Sequence, residues 1–339
     1  AALARFGKVV QLKPDFGDAM ACLADAQMNL GKLEEAEKTF RLAVRMQPRN
    51  AELHANLGSV LQARGLVDEA VDCYRKALTI NPGLPSYDSL GSALTGQGDF
   101  DEAIAVYREG MRRQPGNARV HSNLLLTLNY VPGLDPEAVY HEHCLWGERH
   151  GNPSGQMKHH GNTREPDRVL RVGYLSPDFR THSVAYYIGP LLQAHHGGKV
   201  ETFCYSLVPR PDATTGRLRS WSDHWRDISQ NGDQQIVEQV VNDRIDILVD
   251  LAGHTAHNRL GVFARKPAPV QVTYLGYPNT TGLGAIDYRL TDVVADPAGA
   301  DDFYTEHLER LPDCFLCYLP LPDSPPVGES PADANSYIT

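Results

Sequence analysis

The stretch Arg168–His182, R-V-L-R-V-G-Y-L-S-P-D-F-R-T-H, decides how the second half of this chain folds. Val169–Leu175 is a short apolar run rich in β-branched and aromatic residues, and Pro177 ends it because proline has no N–H for a sheet. We therefore predict a buried strand here. Ligands of open α/β sheets bind beyond the carboxyl ends of strands, so Asp178 and His182 are candidate site residues. Read by itself, the stretch fits a surface turn equally well.

The first 131 residues form an internal repeat. Its prolines, Pro14, Pro48, Pro82 and Pro115, are separated by 34, 34 and 33 residues. Four other sets keep the same step: Leu23, Leu57, Leu90, Leu124; Gly31, Gly65, Gly98; Ala36, Ala70, Ala103; Phe40, Tyr74, Tyr107. This period and pattern match the tetratricopeptide repeat, a helical hairpin with glycine in its turn. We predict about 3.5 units, with Ala2–Pro14 as the second helix of an incomplete one and further repeats upstream.

Stacked hairpins form a concave groove that suits an extended polypeptide. The residue before each repeating leucine is expected to line this groove, namely Cys22, Asn56, Ser89 and Asn123. An asparagine amide both donates and accepts, so such a row can hold a peptide backbone with little regard to its side chains. The alternative for this half alone is a scaffold that only holds complexes together.

A helix and a linker connect the repeats to the second half. Residues 132–150 are predicted to cap the array, because Asp135–His150 has proline at a helix start and apolar residues at helical spacing, with Trp146 available to seal the end. Residues 151–168 are polar and rich in Gly, Pro, Asn and His, which indicates a linker and a domain boundary.

Residues 169–319 alternate between strand-like and helix-like segments, which favours a parallel, doubly wound, Rossmann-like sheet. The predicted segments are Val169–Leu175, Tyr186–Ala194, Thr202–Leu207, Ile236–Val241, Ile245–Leu251, Asn258–Ala264 and Val270–Leu275. Three loops follow strands: one holds Asp178 and His182, one holds His254, Thr255 and His257, and the third is Gly276–Gly282. We expect these loops to meet at one sheet edge.

Composition limits the class of protein. The net charge of −10 comes from interspersed acids and argues against nucleic acid as a partner. No apolar run is long enough to span a bilayer, so no membrane partner is expected and the chain reads as cytoplasmic. Cys22, Cys73, Cys144 and Cys204 are expected to be buried and reduced. Cys314 and Cys317 form a C-x-x-C around a strand-like Phe315-Leu316, but without a second pair they are expected to be structural.

Several common enzyme motifs are absent from the sequence. There is no G-x-G-x-x-G, G-x-x-x-x-G-K-[ST], H-E-x-x-H or G-x-S-x-G. A metal-dependent or dinucleotide-dependent enzyme is therefore disfavoured, and a nicotinamide oxidoreductase is the most distant of the alternatives.

The repeats, together with five ordered motifs, resemble the O-GlcNAc transferase/SPINDLY family, particularly SPINDLY and its bacterial relatives. The motifs are L-R-V-G-Y-L-S-P-D-F-R-T-H-S, D-I-L-V-D-L-A-G-H-T, R-K-P-A-P-V-Q-V-T-Y-L-G-Y-P-N-T-T-G, D-Y-R-L-T-D and L-P-D-C-F-L-C-Y. The resemblance implies a two-lobed GT-B glycosyltransferase of which residues 169–319 are the N-terminal lobe. It implies inverting, metal-independent transfer of GlcNAc or fucose from a nucleotide-sugar, UDP-GlcNAc or GDP-fucose, to Ser or Thr hydroxyls of intracellular proteins. No cofactor is implied, and homo-oligomerisation is left open.

The resemblance also implies roles for individual residues. Asp178 and His182 match the active-site Asp and His of the family, and either can take the acceptor proton. Leu275 and Gly276 match the loop that lines the donor sugar. His254 and Thr255 are expected on the donor side as well, although His254 stands where animal enzymes have tyrosine.

The Pro-rich stretch Pro320–Pro331 lies where the family connects to its second catalytic lobe. Residues 320–339 are therefore expected to be that connection, the chain to be a fragment, and the fragment alone to be inactive. The main alternative to an enzyme is a repeat scaffold whose Rossmann-like half does not catalyse.

Overall fold

A computed structural model describes residues 17–151, 160–195 and 197–319, together with the single residues Lys8 and Gly328. Apart from Lys8 and Gly328, the helix expected over Ala2–Pro14 and the connection expected over residues 320–339 lie outside the described residues, as do residues 152–159 of the linker predicted at 151–168.

Helical hairpins occupy the first half of the chain. Helices α1 to α7 follow one another in antiparallel pairs: Gly17–Asn29, Leu33–Met46, Ala51–Ala63, Val67–Ile80, Tyr87–Gln97, Phe100–Arg113 and Ala118–Leu128. Gly31, Gly65 and Gly98 have φ of 76°, 78° and 87° in the turns between paired helices, a conformation that glycine adopts without strain. The predicted repeat is confirmed, and α8, Pro136–His150, follows it with Asp135 as its N-cap.

Close packing of small against aromatic residues holds each hairpin together. A Cβ placed on Gly58 would lie 2.7 Å from the ring of Tyr74, and one on Gly91 would overlap the ring of Tyr107. Both tyrosines and the equivalent Phe40 are buried. The recurrent small and aromatic positions of the sequence are therefore the contacts between neighbouring helices.

The second half is a single sheet of seven parallel strands. They are β1 Leu170–Ser176, β2 Val200–Ser206, β3 His224–Asp227, β4 Ile247–Asp250, β5 Val270–Thr273, β6 Tyr288–Asp292 and β7 His307–Leu311, in the spatial order 3-2-1-4-5-6-7. The order reverses direction between β1 and β4, the point where ligands of doubly wound sheets bind. The predicted α-solenoid followed by a Rossmann-like α/β unit is thus confirmed.

Helices connect the strands and cover the sheet. They are α9 Ser183–His195, α10 Ala213–Trp221, α11 Asp233–Asn242 and the short α12 Leu260–Phe263, with a 3-10 turn at Ala300–Phe303. Strand β1 is buried from Val172 to Ser176, as its apolar run predicts. No described helix has the length and apolar character needed to cross a membrane.

Some local predictions differ from the structure. Strands β3, β6 and β7 and helix α10 were not predicted, because their polar residues break the apolar pattern that marks a buried element. The expectation that Cys22 is buried is wrong, since it is exposed, and Cys73 and Cys144 are half-buried; only Cys204 of the four is enclosed. Phe315-Leu316 does not form a strand.

Candidate active site

Asp178 lies in the loop directly after β1. Its backbone N–H donates to the hydroxyl of Ser176 at 3.0 Å, which fixes the chain where the strand ends. The residue is only 8% exposed, and the guanidinium of Arg180 approaches its Oδ1 at 3.3 Å. Because this contact is long and uses one oxygen, the carboxylate keeps lone pairs with which to accept a proton or a hydrogen bond.

His182 stands beside Asp178 at the start of α9. Its Nδ1 accepts the backbone N–H of Val184 at 3.3 Å, and its Nε2 lies 3.8 Å from Oδ1 of Asp178. A nitrogen that accepts a hydrogen bond carries no proton, so the proton of the neutral ring is on Nε2. In this arrangement His182 offers a donor towards the space beyond the strand end, and Asp178 offers the acceptor.

Asp212 is a residue at this edge that sequence reasoning missed. Its carboxylate accepts the backbone N–H of Thr181 at 2.7 Å and that of Thr215 at 2.8 Å, which ties the loop after β1 to the start of α10. These backbone hydrogen bonds hold the pKa of Asp212 well below its usual range. Asp212 and Thr215 form a capping box at the start of α10. An Asp followed three residues later by a Thr is the sequence pattern by which this helix start could have been predicted.

The loop after β5 is built from an unusual backbone conformation. Leu275 has φ of 67°, and the N–H of Gly276 donates to the carbonyl of Tyr274 at 2.9 Å. Any Cβ at Gly276 would collide with the carbonyl of Leu251, so glycine allows the loops after β4 and β5 to touch. Thr255, in the loop after β4, donates its hydroxyl to the carbonyl of Ala252 at 2.7 Å.

Asp250 is a second residue at this edge that sequence reasoning missed. Its hydrogen bonds fix the start of the loop after β4 and connect it to the end of β5. Its side chain is fully buried at the end of β4 and accepts the N–H groups of Ala252 at 3.1 Å and Gly253 at 2.7 Å, and the hydroxyl of Thr273 at 3.1 Å. Burial raises its pKa to about 6, although the hydrogen bonds oppose this shift. In the sequence, Asp250 could have been found as the one charged residue at the end of the apolar strand Ile247–Asp250.

His254 lies at the junction with the repeats. Its Nδ1 accepts the hydroxyl of Ser122 on α7 at 3.0 Å, and its Nε2 donates to the carbonyl of Thr281 at 2.8 Å. The ring is fully buried and packs edge-on against Trp146. Since protein groups occupy both ring nitrogens, neither is left for a ligand, and we assign His254 to the junction and not to the donor side.

A second hydrogen-bond chain crosses the same junction. The amide of Asn129 donates to the hydroxyl oxygen of Tyr277 at 2.9 Å, that hydroxyl donates to Nε2 of His143 at 2.7 Å, and Nδ1 of His143 donates to the carbonyl of Val139 at 2.7 Å. Burial lowers the pKa of His143 to about 4, so the ring is neutral. The repeats are therefore joined to the loop after β5 through buried polar contacts.

The three groove residues lie on successive first helices of the repeats. Asn56, Ser89 and Asn123 are all half-buried. The Ser89 hydroxyl is in hydrogen-bond contact with Tyr74. Among the described residues neither Asn56 nor Asn123 has a side-chain partner, so both amides are available.

A cleft of about 800 Å³ separates the end of the repeats from the sheet edge. It is bounded by α7 and α8 on one side and by the loops after β1, β2, β3 and β4 on the other, and this volume is in the range of ligand sites. Within the part of the chain that the structure describes, no three His, Cys, Asp or Glu side chains are grouped to hold a metal.

The comparisons with known proteins agree with this architecture. Residues 152–318 match the family "Glycosyl transferase family 41", and residues 1–85 and 86–119 match tetratricopeptide repeats. A solved O-GlcNAc transferase of Thermobaculum terrenum, in a mutant form, is 36% identical, with a TM-score of 0.85 over 94% of this chain and 61% of its own.

Curated relatives match part of the chain. The probable UDP-N-acetylglucosamine–peptide N-acetylglucosaminyltransferase SPINDLY of Arabidopsis thaliana is 46% identical over 222 residues, which is 64% of this chain and 24% of the relative. The UDP-N-acetylglucosamine–peptide N-acetylglucosaminyltransferase of Caenorhabditis elegans is 38% identical over 43% of this chain and 13% of its own. The chain thus spans about a quarter or less of the length of these relatives. With its repeats followed by a family 41 glycosyl transferase domain, the chain belongs to the O-GlcNAc transferase/SPINDLY family.

Proposed function

We propose that this chain is part of a protein O-glycosyltransferase that moves one sugar from a nucleotide-sugar to Ser or Thr hydroxyls of intracellular proteins, with inversion and without a metal. The observation that carries the proposal is the pairing of an acceptor, Asp178, with a donor, Nε2 of His182, at the switch point of the sheet. The names of the relatives favour UDP-N-acetylglucosamine as donor, and GDP-fucose is the alternative.

In the proposed reaction the acceptor hydroxyl attacks the anomeric carbon directly. The new bond joins that oxygen to the carbon, the bond from the carbon to the phosphate oxygen breaks, and the nucleoside diphosphate leaves with the electron pair. Asp178 takes the hydroxyl proton, directly or through one water, because its lone pairs remain available. Nε2–H of His182 donates to the sugar or to the departing phosphate, where negative charge develops.

The loops around this pair have supporting roles in the proposal. Leu275 and Gly276 line the donor sugar with backbone groups, and Thr255 lies on the neighbouring loop. Asp212 holds Thr181 in place beside His182. The groove that contains Asn56 and Asn123 presents the polypeptide, and we place the nucleotide between this domain and a second lobe in a GT-B arrangement.

Transfer assays on the full-length protein test the proposal. Wild type is expected to release UDP from UDP-N-acetylglucosamine, or GDP from GDP-fucose, and to label protein acceptors in the presence of EDTA. Asp178→Asn keeps the shape of the side chain but removes the proton acceptor, so transfer should fall by about 10² or more. The matched control is Asp72→Asn in the repeats, whose side chain is 80% exposed, and it should keep wild-type turnover.

Two results would contradict the proposal. Wild-type turnover by Asp178→Asn would remove that carboxylate from the reaction. Acceptor binding without turnover of either nucleotide-sugar would favour the repeat scaffold instead.

A further inference from the structure

The cleft between the repeats and the sheet edge is lined by four arginines from four separate segments. Arg119 lies on α7, Arg180 in the loop after β1, Arg210 in the loop after β2, and Arg259 in the loop before α12. Arginine presents several N–H donors in a planar fork that matches a carboxylate, so convergence of four guanidinium groups favours an anionic ligand.

Two of these arginines have unused hydrogen-bonding capacity. Arg210 is exposed and forms no ion pair with any described residue. The Nε of Arg259 is enclosed and has no hydrogen-bond partner among the described residues, although one of its terminal nitrogens lies 3.3 Å from Asp233. A buried N–H without a partner is costly, and a ligand oxygen or an ordered water would remove that cost.

The other charges of the cleft only partly offset the arginines. Asp212 and Asp233 line the cleft, and both carboxylate oxygens of Asp212 accept hydrogen bonds from backbone N–H groups. Arg119 is paired with Asp88 at 2.7 Å and Arg180 with Asp178 at 3.3 Å. His257 and His150 also line the cleft, and burial lowers the pKa of His150 to about 4, so that ring adds no charge near neutral pH. Arg119, Arg180 and Arg259 each lie against a carboxylate, so the donors left for a ligand among the described residues are the guanidinium of Arg210 and the Nε of Arg259.

The cleft begins on the same helix that carries the last predicted groove residue. Ala118, Arg119 and Ser122 of α7 line the cleft, and the next residue, Asn123, is the last of the groove residues. A polypeptide that follows the predicted groove would therefore come close to the part of the cleft lined by Pro177 and Arg180, on either side of Asp178 in the loop after β1. This proximity favours a polypeptide as the occupant over a free nucleotide.

We propose that this cleft selects acidic acceptor segments, with Asp or Glu side chains near the acceptor hydroxyl pairing with Arg210 and Arg259. The inference rests on the proposed function, since it assumes a polypeptide acceptor. It goes beyond that function by assigning a charge preference and two specificity-determining residues.

Peptide binding to this chain tests the inference without any nucleotide-sugar. Three labelled serine peptides of equal length carry Glu, Gln or Lys at the same flanking positions, and fluorescence anisotropy measures their affinities. The Glu peptide should bind on the order of tenfold more tightly than the Gln peptide, and the Lys peptide most weakly. The difference should shrink as NaCl is raised from about 0.05 to 0.3 M. Arg210→Gln should reduce the preference for Glu because only Arg259 remains, and Arg210→Glu should remove or reverse it.

Arg49→Glu supplies the matched control. Arg49 is exposed in the loop between α2 and α3, so this variant makes the same change in net charge outside the cleft. It should keep the wild-type order of affinities, and all variants should keep the wild-type melting temperature.

Equal affinities for the three peptides, no binding of any of them, or the same shift in Arg49→Glu would overturn the inference. So would displacement of the Glu peptide by UDP or GDP, because the cleft would then be a nucleotide site. Donor turnover in the transfer assay is a separate result, so failure here leaves the proposed function standing.

Discussion

The hydroxyl of Ser122 donates to Nδ1 of His254 across 3.0 Å, and this bond joins the last repeat helix to the loop after β4. The opposite nitrogen of the same ring donates to the carbonyl of Thr281, in the loop after β5. One imidazole therefore connects the repeats to two loops of the sheet edge. Because both contacts are buried, they hold the last repeat helix in a fixed position relative to the loops after β4 and β5.

Ser122→Ala is expected to destabilise the chain by about 1–3 kcal/mol, since it leaves Nδ1 of His254 buried without a donor. Thermal and urea unfolding measure this change. Ser220→Ala is the control, because the Ser220 hydroxyl caps an exposed helix end and its loss should cost less than about 0.5 kcal/mol. Equal effects of the two substitutions would mean that the Ser122–His254 bond adds nothing to stability.

A pair of glycines in α5 tests the packing of the hairpins. Gly91→Ala should destabilise by about 1–3 kcal/mol because the new methyl group would overlap the ring of Tyr107. Gly96→Ala, in the same helix, has open space and should stabilise by about 0.5–1 kcal/mol through the better helix propensity of alanine. Unfolding of the two variants under identical conditions gives the comparison. Destabilisation by both would point to the backbone of α5 and not to the Tyr107 contact.

The repeat half was the more predictable part of the fold. Its period places proline, glycine, alanine and an aromatic residue at fixed steps, and each type has a separate local reason, such as the positive φ of Gly65 or the close approach at Gly58. Strands β1 and β4 were predictable because burial on both faces requires a continuous apolar run. The edge strands β3, His224–Asp227, and β7, His307–Leu311, carry charges, as edge strands commonly do, and so lack that signal.

The candidate site was predictable only where residues are close in sequence. Asp178 and His182 are four positions apart beyond one strand, so the motif brings them together. Ser122 and His254 are 132 positions apart, and no local pattern encodes a contact at that separation. His254 was therefore assigned to the donor side from its loop motif, whereas the partner of its Nδ1, Ser122, lies in the repeats.

Acid should weaken the junction between the repeats and the sheet. Burial lowers the pKa of His143 to about 4, whereas the unfolded value is about 6.5. Above pH 6.5 the ring is neutral in both states and its buried contacts stabilise the fold. As the pH falls from 6.5 towards 4, the unfolded state binds a proton that the folded state does not, so this contribution to stability is lost. Between pH 7 and pH 5 the loss for this group is about 2 kcal/mol. Chemical unfolding at the two pH values measures it.

The quantity to compare between variants is the loss of unfolding free energy between pH 7 and pH 5, not the unfolding free energy at one pH. His143→Gln should be less stable than wild type at pH 7 because it disturbs the contact with Tyr277, but it should lose less on going to pH 5. His54→Gln, on a repeat helix away from the junction, should keep the wild-type slope. If His143→Gln and wild type lose equal stability, His143 does not report on the junction.

His182→Ala in the full-length protein should lower transfer by a factor on the order of 10² or more, as loss of a positioned donor does. Its melting temperature should barely change, because the ring is half-exposed and, within the described part of the chain, its one hydrogen bond with the backbone is the bond that it accepts from Val184. Turnover and thermal unfolding are measured on the same preparation. Wild-type turnover would remove His182 from the site, and a collapsed melting temperature would make its role structural.

Replacing both groove amides, Asn56→Ala with Asn123→Ala, should weaken transfer to protein acceptors while sparing release of nucleotide from the donor. These half-buried amides have no partners among the described residues, so they are free to pair with the backbone of a bound polypeptide. Two lost amide contacts correspond to a rise in KM for the acceptor of about five- to fiftyfold, with kcat on saturating acceptor nearly unchanged. Asn242→Ala, exposed at the end of α11, is the control and should leave both constants as in wild type. If the acceptor follows the groove into the cleft, as proposed above, the double variant should raise KM for long acceptors far more than for short peptides that occupy the cleft alone. An equal effect on long and short acceptors, or none on either, would show that the acceptor does not follow the repeats into the site.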